Sequence, residues 1–339
     1  MSLGVATCRY ASLTPFFSIG HTTQHNTTQH NTTQHNTTQL KVDNIHILHT
    51  IGGDDTNTQA ALLSAHLLKN GYSLTVIGMP KTIDNDVHPI KQTFGADTAS
   101  IESAKFFRRI VAEGSASPRM LIIHEVMGRD CGYLTARSAH VYREMLRSDE
   151  DSMSGCELWG LGKGKRDIHA VFIPEIPIDL PSIGARLKTV MDDLDVVNVF
   201  LSEGAGVSDI VSQMESEGQP VPRDAFGHVQ LAKINPGEYL SKRLGSMVNA
   251  EKTLVQKSGY FARAAPSNDF DQRLIEKCAR VGAECAMRGV SGCMGQDEER
   301  GDEVRPIEFE RIRGGKVFDI NTDWFQEMMG EVEAYGNGK

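Results

Sequence analysis

The 339-residue sequence has no run of eighteen consecutive apolar residues, so no membrane-crossing helix is expected. Its six cysteines, Cys8, Cys131, Cys156, Cys278, Cys285 and Cys293, form no Cys-x-x-Cys pair. That spacing argues against a zinc site or a disulfide framework and for a reducing compartment, here expected to be the cytoplasm. Positive charge is in deficit, with a formal net charge of -9. A broad nucleic-acid surface is thereby disfavoured, whereas a local basic pocket for a small phosphate ester stays compatible. No Gly-x-x-x-x-Gly-Lys run occurs, and no glycine-rich loop precedes Gly52. The common cradles for a nucleotide's phosphates are therefore absent.

Acidic residues are missing before Asp43, and His-Asn-Thr-Thr-Gln repeats run from His21 to Gln39. So polar a tract cannot bury enough surface to offset its ordering, and residues 1–41 are expected to be a disordered, low-complexity segment. Whether it serves as a linker, a transit segment or a repeat expansion is left open by composition. The length beyond it suits about two domains.

The densest chemistry lies between Asn44 and Ile90. The β-branched run Ile45 to Ile51 stops at Gly52-Gly53, as a strand ending in a turn does, and Asp54 and Asp55 follow at once. Thr56-Asn57-Thr58-Gln59 reads as a capping box opening a helix over Ala60 to Asn70, with Gly71 as its stop. A second strand, Ser73 to Gly78, leads into Met79-Pro80-Lys81-Thr82-Ile83-Asp84-Asn85-Asp86. In a parallel sheet both strand ends open on one edge, so the two acidic turns are expected to converge. Asp54, Asp55, Asp84 and Asp86 would repel one another without a cation among them, and Mg²⁺ with a partner phosphate suits their hard oxygens. Lys81 adds a fixed positive charge, a mixture appropriate to phosphoryl transfer. A single Gly-Gly-Asp-Asp would read as a polar turn and no more; the pair of turns weakens that reading.

Further along, helices are expected near residues 97–112, 132–146, 182–194, 233–249 and 269–287, with a last one from Asp323. Strands are expected at 119–126, 170–175, 196–201 and 253–256, the first of the continuous apolar kind found in parallel sheets, and a loop over 292–300. Met127-Gly128-Arg129 stands at a strand end, where amide donors and a guanidinium can meet a phosphate or a hydroxyl. Glu203 stands at another. A surface arginine and a turn carboxylate are the plainer readings of Arg129 and Glu203.

Gly52-Gly53-Asp54-Asp55-Thr56 with Pro80-Lys81-Thr82-Ile83-Asp84-Asn85-Asp86 resembles the phosphofructokinase family in its pyrophosphate-dependent branch. Three more stretches carry the resemblance in the family's order: Glu125 to Gly132, Ser202 to Gly206 and Gly259 to Arg263. It spans about Val42 to Trp324. It implies an α/β fold of two similar Rossmann-like three-layer lobes with mostly parallel sheets, the N-terminal lobe incomplete because the donor-loop region is missing. Residues 42–96 plus 262–339 would form the donor-side lobe, and 97–261 the sugar-phosphate lobe.

The reaction implied is reversible phosphoryl transfer from pyrophosphate to the 1-hydroxyl of fructose 6-phosphate, with Mg²⁺. Asp84 would be the general base, aided by Lys81, with Asp54 and Asp86 holding the metal. Gly53, Asp55 and Lys81 would meet the donor, Asp55 and Lys81 replacing glycines of the ATP-using type and thereby favouring pyrophosphate. Thr82, Met127, Gly128, Arg129, Glu203, Tyr260, Arg263 and Lys257 would line the acceptor pocket, with Lys257 and Arg119 able to add charge from a neighbouring subunit. A homo-oligomer, dimer or tetramer, is implied. The alternatives are a catalytically impaired or regulatory sugar-phosphate-binding relative, and an ATP-dependent phosphofructokinase.

Overall fold

The computed structural model describes residues 39–114, 117–152, 164–223 and 229–337. The polar repeats up to residue 38 lie outside the described residues, as do residues 153–163 of the loop expected between residues 147 and 168, whose first six residues instead continue a helix. Residues 39–42 form a helical turn. Leu40 and Ile45 pack beside Leu67 and Leu74, and the Tyr72 hydroxyl donates to Leu40 O at 3.2 Å. That burial orders the turn despite its polar neighbours.

Two four-stranded sheets organise the fold. The first has the order β1 (Ile47–Gly52), β2 (Thr75–Pro80), β7 (Gly292–Asp297), β8 (Glu303–Ile307), parallel except for β8. The second has the order β4 (Ala170–Phe172), β5 (Val196–Ser202), β3 (Met120–Val126), β6 (Lys252–Lys257), all parallel. In β3 and β5 every residue is buried, which accounts for their near-continuous apolar sequences. β1 is an edge strand whose residues alternate between exposed and half-buried.

Helix α1 (Asp54–Lys69) crosses from β1 to β2 and packs on both. Helices α2 (Ala96–Gly114) and α3 (Tyr133–Ser152) cover one face of the second sheet. The other face is covered by α4 (Leu180–Leu194) and, after the short α5 (Val207–Ser216) and α6 (Leu231–Ile234), by α7 (Pro236–Met247). A five-residue helix, α8 (Gly259–Arg263), follows β6, and α9 (Asp269–Met287) returns to the first sheet.

The sheets are joined at the start of α2. Asn268 caps α9, and the buried carboxylate of Asp271 caps α2 by accepting from Gly95 N at 3.1 Å and Thr98 N at 2.9 Å. Two expectations are corrected. Residues 292–297, read as part of a loop, are an inner strand, because their glycines let other chains approach closely: a Cβ on Gly295 would lie 2.9 Å from Ile90. The last helix, α10 (Asp323–Ala334), grouped by sequence with the donor-side lobe, packs on α3 and β4 through Phe325, Met328 and Val332.

His124 on β3 is wholly buried among Phe106, Phe107 and Phe200, flat on Phe107 at 5.4 Å between centroids. Neither ring nitrogen has a hydrogen-bond partner. Burial pushes the imidazole down to about 3. An unfolded chain protonates it near 6.5, so between those values the unfolded state binds a proton that the folded state does not. Stability therefore falls as pH drops, by roughly 2 kcal/mol between pH 7 and pH 5 from this group. His124→Leu is expected to flatten that part of the stability-pH profile in denaturant titrations. An unchanged slope would clear His124 of the effect.

Candidate active site

The two acidic turns meet. Gly52 pairs with Pro80 in the parallel ladder, and Lys81 N continues it by donating to Gly52 O at 2.8 Å. A Cβ on Gly53 would lie 3.9 Å from Thr82 Cβ. The expected capping box does not form: α1 begins at Asp54 with Gly53 as its N-cap and no side-chain cap. Asp54 and Asp55 thus stand on the first helical turn, where negative charge complements the helix dipole. Asp55 is exposed, whereas the Asp54 side chain lies outside the described residues.

The Thr82 to Asp86 turn is held from within. Thr82 Oγ1 accepts from Asp84 N at 3.2 Å and donates to Asp86 Oδ1 at 3.5 Å. Asn85, buried and left-handed at φ 55°, donates to Lys91 O at 3.0 Å and accepts from Thr93 N at 2.8 Å. Thr93 Oγ1 returns to Thr82 O at 2.8 Å, and Lys316 N donates to Asp86 O at 2.9 Å. Asp84 and Asp86 are half-buried, while Lys81 is exposed at the rim.

At the corresponding edge of the second sheet, the loops after β3 and β5 interlock. Gly128, at φ 129°, donates through its amide to Glu203 Oε1 at 3.3 Å and accepts from Gly204 N at 3.2 Å. A Cβ on Gly204 would fall 1.6 Å from Arg129 O. Met127 is half-buried and Arg129 exposed. Burial raises the Glu203 carboxyl above its usual range, with Glu125 adding to the rise and Gly128, Arg129 and Lys257 opposing it.

Tyr260 and Arg263 are exposed on α8, one turn apart, and Phe261 anchors that helix on Phe106 at 5.3 Å. Lys257, expected to face substrate, pairs with Glu125 Oε1 at 2.7 Å and donates to Asn235 Oδ1 at 2.7 Å. Arg119 is likewise committed, to Val248 O and Asn249 O, each at 2.8 Å, and to Asp192 at 3.0 Å.

Cys131, two residues before α3, is buried. Burial pushes its thiol up to about 12, and Glu175, Asp86 and Asp84 add to the rise. Tyr133 Oη donates to Gln92 Oε1 at 3.1 Å, so the segment that follows the aspartate turn contacts the start of α3. Glu175, missed by sequence reading, accepts from Gly132 N at 2.8 Å and Phe318 N at 2.9 Å, joining that loop to the C-terminal segment. A carboxylate at the end of the strand expected over residues 170–175 was its only signal. Among the described residues no three His, Cys, Asp or Glu side chains form a metal-holding group. Of the two carboxylates expected to hold Mg²⁺, Asp86 is half-buried and is a hard oxygen donor of the kind that ion favours.

Converging acidic turns, together with loops that carry a carboxylate and an arginine, at the edges of two mostly parallel sheets, define an α/β protein of the phosphoryl-transfer class. The model of the family described as Phosphofructokinase matches residues 17–150. A protein of Methylomonas methanica named Pyrophosphate--fructose 6-phosphate 1-phosphotransferase is 55% identical over 300 residues, covering 88% of this chain and 72% of that protein. One of the same name from Mastigamoeba balamuthi is 52% identical over 290 residues, covering 86% and 70%. The solved pyrophosphate-dependent phosphofructokinase of Marinobacter aquaeolei superposes with a TM-score of 0.60 at 18% identity, over 88% of this chain and 70% of that one. The chain belongs to the phosphofructokinase family.

Proposed function

We propose that this chain transfers a phosphoryl group from pyrophosphate to the 1-hydroxyl of fructose 6-phosphate, giving fructose 1,6-bisphosphate and phosphate. The observation that carries the reading is the meeting of the Gly53 and Thr82 turns beside the interlocked Gly128 and Gly204 loops. The names of the relatives at more than half identity agree with it.

In this reading Asp84 takes the proton of the 1-hydroxyl as that oxygen attacks phosphorus, and the bond to the departing phosphate breaks. Thr82 sits beside the transferred group, and Lys81 offsets charge on its equatorial oxygens. Asp54 and Asp86 would hold Mg²⁺, which supplies charge neutralisation on the donor when bound. Glu203 accepts from sugar hydroxyls, Met127, Gly128 and Arg129 line the sugar, and Tyr260 with Arg263 holds its 6-phosphate. With Lys257 paired to Glu125, its part in the pocket is to set that carboxylate and the α8 turn. The first sheet would form the donor side and the second the acceptor side. A homo-oligomer in the cytoplasm accords with the reading, and none of the described helices is long and apolar enough to cross a membrane.

The test is the purified full chain with fructose 6-phosphate and Mg²⁺, supplied with pyrophosphate or ATP, reading fructose 1,6-bisphosphate. Product with pyrophosphate and none with ATP is expected; no product with either donor would overturn the proposal. Asp55 and Lys81 are both exposed, so glycine at both positions opens space and removes a negative charge without disturbing the core. Asp55→Gly with Lys81→Gly is expected to raise KM for pyrophosphate about tenfold and to admit ATP. If the double variant shows no ATP binding by calorimetry, donor choice lies at other residues.

A further inference from the structure

Asn57 lies on the second turn of α1 and is wholly buried. Its side-chain amide donates to two successive carbonyls, Gly53 O at 2.8 Å and Gly52 O at 3.1 Å. Its Oδ1 is buried and has no partner. Room for that oxygen exists because residue 78 is glycine: a Cβ there would stand 2.4 Å from Oδ1. A buried oxygen left without a donor is costly, and an aliphatic side chain would avoid the cost. What the asparagine provides is its pair of N–H donors.

In a trans peptide the carbonyl of one residue and the amide of the next point in opposite directions. Drawing Gly52 O and Gly53 O inward to Asn57 therefore turns the Gly53 and Asp54 amides outward. No side chain caps that end of α1. The outward amides head the helix beside the Thr82 turn, where its dipole favours an anion.

We propose that Asn57 is a positioning residue for the pyrophosphate site: it touches no substrate, and it holds the Gly52-Gly53 turn so that two backbone amides face the donor's phosphate oxygens. The inference rests on the reading in the preceding subsection and adds to it how the donor turn is set. Gly78 is its structural counterpart, clearing the space that the amide occupies.

Two variants of the full chain test it. Asn57→Asp keeps the volume and removes both donors; Asn57→Ala removes them without adding a buried charge. In whichever variant keeps the wild-type circular dichroism, KM for pyrophosphate is expected to rise about tenfold or more, with KM for fructose 6-phosphate within about twofold. Hydrogen exchange in a peptide spanning residues 51–58 is expected to quicken, because the turn loses both side-chain hydrogen bonds and keeps only the backbone ones, Lys81 N to Gly52 O and Asn57 N to Gly53 O. Equal rises in both KM values would make Asn57 a general fold residue and overturn the proposal, as would an unchanged KM for pyrophosphate. Should the wild type neither turn over nor bind Mg²⁺ and pyrophosphate by calorimetry, the proposed function fails. Exchange at residues 51–58 then decides the turn-holding role by itself, faster exchange supporting it and unchanged exchange overturning it.

Discussion

Asp84→Asn is expected to lower kcat by roughly 10²- to 10⁴-fold, the range for losing a general base, with KM for fructose 6-phosphate changing little. Asparagine matches the carboxylate in shape but does not take up the hydroxyl proton at neutral pH. The turn should survive the change, because its anchors are elsewhere: the Asp84 backbone amide on Thr82 Oγ1, and Asn85 on Lys91 O and Thr93 N. Initial rates with pyrophosphate as donor, together with a binding titration of fructose 6-phosphate, separate chemistry from binding. Wild-type turnover in the variant would remove Asp84 from the role of base.

Gly204→Ala is expected to be damaging too, through binding instead of proton transfer. An added Cβ would lie 1.6 Å from the Arg129 carbonyl oxygen, and backbone cannot swing aside as a long side chain can. The β3 and β5 loops must part, taking with them the Gly204 to Gly128 hydrogen bond and the Glu203 contact to the Gly128 amide. Displacing a binding loop by about 1 Å can cost about 10²-fold, so KM for fructose 6-phosphate should rise by about that factor or the protein should lose solubility. Gly330→Ala is the control: the glycine lies within α10 with nothing within 4 Å of an added Cβ, so activity and melting temperature should hold or improve slightly. Indistinguishable behaviour of the two variants would mean that the loops do not interlock as described.

Both experiments bear on features that differ in how readily they could be read beforehand. The acidic turns were legible because each follows a short apolar strand and is itself a contiguous stretch of polar residues. Helix α9 was read over its full length, Asp269 to Met287, since its apolar spacing and its Asn268 cap are local. Strand β7 was not. Gly292-Cys293-Met294-Gly295 looks like a loop until β2 and β8 are placed on either side, at which point the glycines prove to be clearance for Ile90 and for the β8 backbone. The start of α1 was set six residues late, because Thr56 to Gln59 fits a capping pattern that the buried Asn57 side chain does not follow.

Charge partners were the least legible part of the site. Lys257 and Arg119 looked available to a phosphate, but Lys257 pairs with Glu125, more than a hundred residues earlier, and Arg119 binds carbonyls on the segment after α7. The side-chain periodicities that mark helices and strands act over a few residues and contain no information about which distant group will satisfy a cation. From its sequence alone this protein carried its α/β alternation, its pair of acidic turns and the residue types needed to move a phosphoryl group. Tertiary packing alone decided which cations are spent within the chain, which sheet the last helix covers and how the Asn57 amide holds Gly52 and Gly53, because each depends on groups that only the folded backbone brings into contact.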